Sequence, residues 1–265
     1  MKRLIIISGY SKGIGRQLAE GYARQLGTEC GIIGISRTEP DELKRLLNRE
    51  AGWFRSMRAD LAEHQRLRSL LDQLDDLCDR HDEERGKPES VVLINNAALL
   101  DPLKTLGRLW RDDGHITEAS HALTANCLAP ALLAGWFIER FATLESDHKI
   151  ILNMSSGASQ GPMPGAGIYS MSKAAINMLS MSIAAEQKHA PNPVKAVSLS
   201  PGMVETNMQE MIRSKNADDF PEVDFFRSAA EEGKVRSPED IARAIISMNL
   251  TTLESGGYYH LRDFI

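Results

Sequence analysis

Tyr169 and Lys173 stand four residues apart in the run Tyr169-Ser170-Met171-Ser172-Lys173. On a helix that spacing places both on one face. An unperturbed phenol titrates near about 10, too high for ready proton exchange at neutral pH. A neighbouring ammonium favours phenolate and is expected to lower that value. The phenol can then act as general acid toward a developing alkoxide. Ser156 lies upstream, at the end of an apolar run, and can donate a second hydrogen bond to the same oxygen. Hydride delivery to a carbonyl needs this chemistry. A Tyr-x3-Lys pair by itself is usually a surface pair on a helix; the placement of Ser156 is what adds weight.

A second set of residues lies near the N-terminus, in Ser8-Gly9-Tyr10-Ser11-Lys12-Gly13-Ile14-Gly15. Glycines let a backbone turn tightly and approach a pyrophosphate, and a helix N-terminus offers N–H groups to it. Such a turn is often only a turn. The next apolar run ends in Ile35-Ser36-Arg37-Thr38, with no carboxylate where NAD-binding chains place one for the ribose hydroxyls. Arg37 is either a surface arginine or the fork that pairs with a 2′-phosphate. Lys12 and Arg16 add positive charge nearby, and the set favours NADP. Asp60, followed by Leu61, is either a helix N-cap or an acceptor for the adenine amino group.

These groups need strands and helices to hold them. Apolar runs at 4–8, 31–36, 53–59, 91–95, 149–154, 194–200 and 257–261 predict strands. Periodic stretches at 14–25, 41–50, 62–78, 116–141, 169–188 and 238–249 predict helices, the fourth with a break near Pro130. Strands alternating with helices imply βαβ units and a parallel sheet. The charged run at 79–87 reads as a solvated loop after a helix, and 207–237 as irregular.

The chain has 265 residues, 42% hydrophobic and 25% charged, enough for a sizeable core, so disorder is not the default reading. A net charge of −5 argues against a broad nucleic-acid surface. No run approaches the roughly 18 apolar residues of a membrane span. Cys30, Cys78 and Cys127 are odd in number and far apart, which suits buried thiols in a reducing compartment rather than disulfides or a metal site. A cytoplasmic protein is expected.

In chain order, the SGYSKGIG turn, Asn95-Asn96-Ala97-Ala98, Asn126 in LTANCLAP, Ser156, Tyr169 with Lys173, and Pro201-Gly202-Met203-Val204-Glu205-Thr206 resemble the short-chain dehydrogenase/reductase family from end to end. The resemblance implies a Rossmann-like, doubly wound α/β domain over 1–265, with about seven parallel strands and helices on both faces. It implies a tetrad of Asn126, Ser156, Tyr169 and Lys173, with Asn126 holding a water that links Lys173 to solvent. Cofactor contacts would come from Gly9, Ser11, Lys12, Gly13, Ile14 and Gly15, then Ser36, Arg37, Asp60, Leu61, Asn96 and Ala97. Tyr169 and Lys173 would meet the nicotinamide ribose, and Pro201, Gly202, Val204 and Thr206 the carboxamide.

Within the family, the run from Ser200 to Gln209, the Ile35-Ser36-Arg37-Thr38 strand end and the C-terminal Glu254-Ser255-Gly256-Gly257-Tyr258-Tyr259-His260 make the chain similar to sepiapterin reductases and bacterial benzil reductases, which use NADPH to reduce a ketone beside another carbonyl. Segment 207–237 would cover the substrate, with Ser156, Met163, Met203, Phe220 and His260 beside it and Phe225 and Phe226 as further pocket residues. Core packing is the commoner fate of a phenylalanine. Three positions depart from the pattern: Ser8 for threonine, Ala98 for glycine, and His260 where sepiapterin reductases carry an aspartate for the pterin. Histidine lacks that two-oxygen acceptor, which favours a dicarbonyl over a pterin. A surface histidine on an edge strand is the plainer reading. A homodimer or homotetramer pairing through helices around 129–141 and 169–188 is implied as well. An NADP-binding sensor without turnover and an NAD-linked alcohol dehydrogenase are the competing functions.

Overall fold

Strands β1 (Arg3–Ser8), β2 (Cys30–Ser36), β4 (Ser90–Asn95), β5 (Lys149–Met154) and β6 (Lys195–Ser200) are buried along almost their whole length. Strands that read apolar without alternation need cover on both faces, as parallel sheets have. The computed structural model describes residues 2–265. Its sheet is parallel throughout, in the order β3-β2-β1-β4-β5-β6-β7, with β3 (Trp53–Arg58) and β7 (Tyr258–His260) at the edges. Helices α1 (Gly13–Leu26), α2 (Asp41–Glu50) and α10 (Pro238–Ser247) pack one face. Helices α3 (Leu67–Arg85), α6 (Ala129–Arg140) and α7 (Gly167–Gln187) pack the other. This is the doubly wound Rossmann-like architecture. The chain runs outward from β1 to β3, then crosses back to β4 on the far side of β1. That reversal opens a crevice at the ends of β1 and β4, beside Ser8 and Asn95, where such folds bind ligands.

Three stretches differ from the sequence-based expectation. The charged run is no loop: α3 continues to Arg85 and stops at Gly86, whose φ is +78°. Asp75, Asp79 and Asp82 recur at helical spacing on one face and meet Arg140 of α6 at 3.6, 2.6 and 3.0 Å. His81, between them in sequence, is fully buried, its ring edge-on to Trp53 at 5.1 Å.

The helix at 116–141 does not break at Pro130. Helix α5 (Asp113–Leu123) passes through one π turn, Thr124–Leu128, into α6, and Pro130 sits in the first turn of α6. A missing N–H is tolerated there. Asp113–Arg140 is the one helical run among the described residues long and apolar enough to cross a membrane. Here it packs against β4, α3 and α7.

Segment 207–237 is more regular than expected, with α8 (Asn207–Ser214) and α9 (Val223–Glu231). The loop after β4 carries one short turn of helix, α4 (Leu106–Leu109).

Candidate active site

Beyond β5 the chain turns at Ser156, which caps a single 3-10 turn, Gly157–Ser159. Its Oγ accepts the Ala158 N–H at 3.2 Å, which leaves the hydroxyl proton to be donated elsewhere. The Ser156 carbonyl accepts from Ser159 twice, from N–H at 3.0 Å and from Oγ at 2.7 Å. Asn177, one helical turn past Lys173, donates to Ser159 Oγ at 2.8 Å and accepts from Ser155 Oγ at 2.7 Å. Neither Asn177 nor Ser159 stood out in the sequence. Their only signal is polarity next to the buried face of α7.

Tyr169 is 8% exposed and belongs to a buried cluster with Leu100, Leu103, Ile212, Phe220, Val223 and Phe226. Burial pushes its phenol up to about 12, against the opposing pull of a hydrogen bond with Ser156. The expectation that Lys173 lowers this value does not hold. The Lys173 ammonium donates to the Met154 carbonyl at 2.8 Å and lies 5.6 Å from the centre of the Tyr169 ring. Burial in turn pushes Lys173 down to about 8. Each group is driven toward its neutral form by loss of solvent. At neutral pH the phenol therefore holds a proton it can give.

Asn126 lies in the π turn and is 1% exposed. Its side chain accepts the Leu99 N–H at 2.8 Å and donates to the Leu99 carbonyl at 2.7 Å and to Ser172 Oγ at 3.0 Å. The side chain is thus committed to holding the loop after β4 against α7. Pro130, four residues on, has no N–H to offer the Asn126 carbonyl.

The glycine turn is tightly built. Gly9 and Gly13 have φ of +71° and +56°, and a Cβ on Gly15 would lie 2.2 Å from the Gly9 carbonyl oxygen. Helix α1 begins with no side-chain cap and no acidic residue in its first turn, so its leading N–H groups remain for an anion. Ser8 Oγ accepts from the N–H groups of Asn96 and Ala97 at 3.0 and 3.1 Å, and the Asn96 amide donates back to the Ser8 and Gly9 carbonyls. A cleft of about 240 Å³ beside Gly13 is lined by Gln17, Thr206, Asn207, Glu210 and their neighbours. Gly202, with φ of +82°, turns the chain after Pro201, and Val204 is buried in the core.

The end of β2 is drawn to this turn. Thr38 Oγ1 donates to Ser11 Oγ at 3.1 Å, and Ser36 Oγ donates to the Thr38 carbonyl at 2.5 Å. Arg37 is half exposed, with Asp60 at 3.9 Å. Lys12 is exposed, whereas Arg16 is held by buried Glu20 at 2.8 Å and is less available than the sequence suggested. Asp60 Oδ1 accepts the Ala62 N–H at 3.0 Å, and Leu61 is core. Ile14 is partly buried against the core. The uncapped helix, the glycine turn and the cation at the end of β2 suit a nicotinamide dinucleotide.

Met163 and Met203, with Met208, are partly buried against the Tyr169 cluster. Phe220 and Phe226 are core to it, whereas Phe225 is 61% exposed and lies outside. His260, on β7, is half-buried, and its ring meets Tyr258 edge-on at 5.0 Å. Tyr258, which the sequence did not mark, donates from Oη to the Ser156 carbonyl at 3.3 Å.

Residues 3–217 match the family model described as short chain dehydrogenase. The chain belongs to the short-chain dehydrogenase/reductase family, whose members are oxidoreductases that bind a nicotinamide cofactor. It is 33% identical over 263 residues to a benzil reductase ((S)-benzoin forming) of Bacillus subtilis, covering 99% of both chains. It is 30% identical to the sepiapterin reductase of Bos taurus over 82% of this chain and 78% of that one. The crystal structure of the short-chain dehydrogenase/reductase YIR035C from Saccharomyces cerevisiae superposes with a TM-score of 0.79 at 23% identity, covering 99% of both chains.

Proposed function

We propose that this short-chain dehydrogenase/reductase is an NADPH-dependent carbonyl reductase for apolar ketones, above all 1,2-diketones of the benzil class. The observation that carries this reading is Tyr169, a phenol whose proton burial holds in place within an apolar cluster, with Ser156 just beyond β5 as the neighbour that opposes that shift. NADPH, when bound, supplies the hydride. Ser156 donates to the carbonyl oxygen, and Tyr169 gives that oxygen its proton as negative charge develops. Lys173 holds the nicotinamide ribose and steadies the phenolate left behind. The Asn126 carbonyl, to which Pro130 has no N–H to donate, holds the water that returns a proton through Lys173.

The cofactor is gripped by the glycine turn at its pyrophosphate and by Arg37 and Lys12 at its 2′-phosphate. Asp60 accepts from the adenine amino group, and the 201–206 turn accepts the carboxamide. Segment 207–237 closes over the substrate, and the surrounding apolar side chains keep water from the reacting atoms. The apolar lining around Tyr169, with Met163, Met203 and Met208 against it, suits an apolar diketone better than a polar pterin. Similarity to a benzil reductase over the full chain supports the diketone.

The test is NADPH oxidation with benzil, other 1,2-diketones and sepiapterin, comparing wild type with Tyr169→Phe. Diketone turnover that falls by about 10²- to 10⁴-fold in Tyr169→Phe is expected. Tight NADPH binding without turnover of any carbonyl would instead mark a sensor, and preference for NADH an NAD-linked dehydrogenase. The same reading includes a homodimer or homotetramer, because Leu128 just before α6, Leu132 on it, and Met178 and Met181 on α7 are large apolar side chains left exposed. Light scattering that gives a monomer mass would remove that part.

A further inference from the structure

The turn Ser255-Gly256-Gly257 seats the last strand in a fixed place. Ser255 Oγ accepts the Ala196 N–H at 3.1 Å, the Gly256 N–H donates to the Ala196 carbonyl at 2.7 Å, and the Ser198 N–H donates to the Gly257 carbonyl at 2.9 Å. Gly256 has φ of +85°, a conformation side-chain-bearing residues rarely adopt. Strand β7 then pairs with Ser200 opposite His260. Residues two apart on a strand share a face, so Tyr258 and His260 lie together and their rings cross at 82°. Tyr259 turns the other way, its hydroxyl accepting the Glu254 N–H at 2.8 Å. From this setting the Tyr258 hydroxyl reaches the Ser156 carbonyl across the ends of two strands.

We propose that Tyr258 is a positioning residue for Ser156, and that His260 is the ring that braces Tyr258. Three donors converge on the Ser156 carbonyl. Two come from Ser159 and tie the turn to itself. Asn177 anchors that turn to α7 on one side, and Tyr258 anchors it to β7 on the other. Ser156 Oγ is fixed within the turn by its bond from Ala158, so the direction of its hydroxyl follows the tilt of the turn. Removing the β7 anchor frees that tilt, and small misplacements of a donor cost rate rather than binding of a distant cofactor. His260 thus acts through Tyr258, not as the acceptor for a substrate's N–H groups.

This inference rests on the reading of Ser156 as a donor to the reacting oxygen. Steady-state benzil reduction by the full chain tests it with Tyr258→Phe, Ser156→Ala, the double variant, His260→Phe and His260→Ala. Tyr258→Phe should lower kcat about fivefold, the effect of one lost hydrogen bond, and leave KM for NADPH unchanged. In the Ser156→Ala background the same change should cost nothing further. His260→Phe, which keeps an aromatic edge, should stay near wild type, while His260→Ala should lose about as much as Tyr258→Phe.

Equal losses from Tyr258→Phe in both backgrounds would show a structural role independent of Ser156 and overturn the inference. So would wild-type kcat in Tyr258→Phe when Ser156→Ala is slow. Equal losses from the two His260 variants would overturn the bracing role. Ser156→Ala at full rate, or a wild type inactive toward every diketone, would defeat the underlying reading and this inference with it.

Discussion

Lys173 turns its ammonium to the Met154 carbonyl at 2.8 Å, not to the hydroxyl of Tyr169. The two groups meet only as a charge 5.6 Å from a ring centre. Lys173 is pushed down to about 8 and Tyr169 up to about 12, both by burial. The form suited to reduction keeps the lysine charged and the phenol protonated. For kcat/KM of NADPH, which reports the free enzyme, activity should hold below about pH 8 and fall above it. A break from Tyr169 is expected only near about pH 12. Lys173→Arg should remove the fall near pH 8, and an unchanged profile in that variant would assign the break to another group.

The same burial has a cost in stability. The folded chain holds the Lys173 proton less tightly than the unfolded chain does, about 8 against 10.5, so stability rises with pH across that window. At pH 7 the charged lysine costs about 3 kcal/mol, from 2.5 pH units at about 1.36 kcal/mol each. Lys173→Met should abolish turnover yet raise Tm by a few degrees, less the effect of the donor lost from Met154. Differential scanning calorimetry decides it, and a lowered Tm would show that the Met154 bond outweighs the buried charge.

Arg37 is half exposed, and its nearest carboxylate, Asp60, stands 3.9 Å away at the edge of a salt-bridge contact. So loose a pair leaves the guanidinium available to a 2′-phosphate, where a bidentate, charge-assisted contact forms. Arg37→Ala should raise KM for NADPH by roughly 10- to 100-fold and leave KM for NADH nearly unchanged. Equal effects on both cofactors would take the phosphate role from Arg37.

The sheet was legible because buried parallel strands read as unbroken apolar runs, and the candidate site because polar residues of distinctive type sit where those runs end. Other features depend on partners distant in sequence. Whether 79–87 is loop or helix turns on Arg140, which gives Asp75, Asp79 and Asp82 a common partner. The raised phenol of Tyr169 comes from burial among residues that include Phe220 and Phe226, about fifty positions away. Tyr258 meets Ser156 across 102 positions, and Asn177 reaches Ser159 across 18. Pro130 predicted a break, yet one π turn absorbs it without ending the helix.

His81 shows what the charged end of α3 does for stability. Burial against Trp53 holds its imidazole below the usual value of 6.5, although Asp82 at 3.2 Å pulls the other way. The unfolded chain therefore takes up this proton first as pH falls. The contribution is complete above pH 6.5 and is lost progressively below it, by at most about 1.4 kcal/mol per pH unit for one proton. Tm measured from pH 7 to pH 5 should fall less steeply in His81→Leu than in wild type, even if the variant starts lower. Parallel curves would place the acid sensitivity elsewhere.

Segment 207–237 is fastened to the loop after β4 by charge. Lys104 Nζ lies 2.6 Å from Asp219, Arg108 lies 3.5 Å from the same carboxylate, and Lys215 meets Asp101 at 3.1 Å. Beneath them Gly165, with φ of +84°, lets the Asp219 carbonyl approach within 2.5 Å of where a Cβ would stand. The Lys104 bond holds the Asp219 carboxyl below its usual range, so the fastening is fully formed at neutral pH and is lost only in acid. Salt screens such partly exposed pairs, each worth up to about 1 kcal/mol. If this segment closes over the substrate, raising ionic strength should increase KM for a diketone by roughly two- to fivefold in wild type. Asp219→Asn should show the raised KM at low salt and little further change. A wild-type KM indifferent to salt, or an Asp219→Asn variant that responds as wild type does, would mean that these pairs secure the segment without governing access to Tyr169.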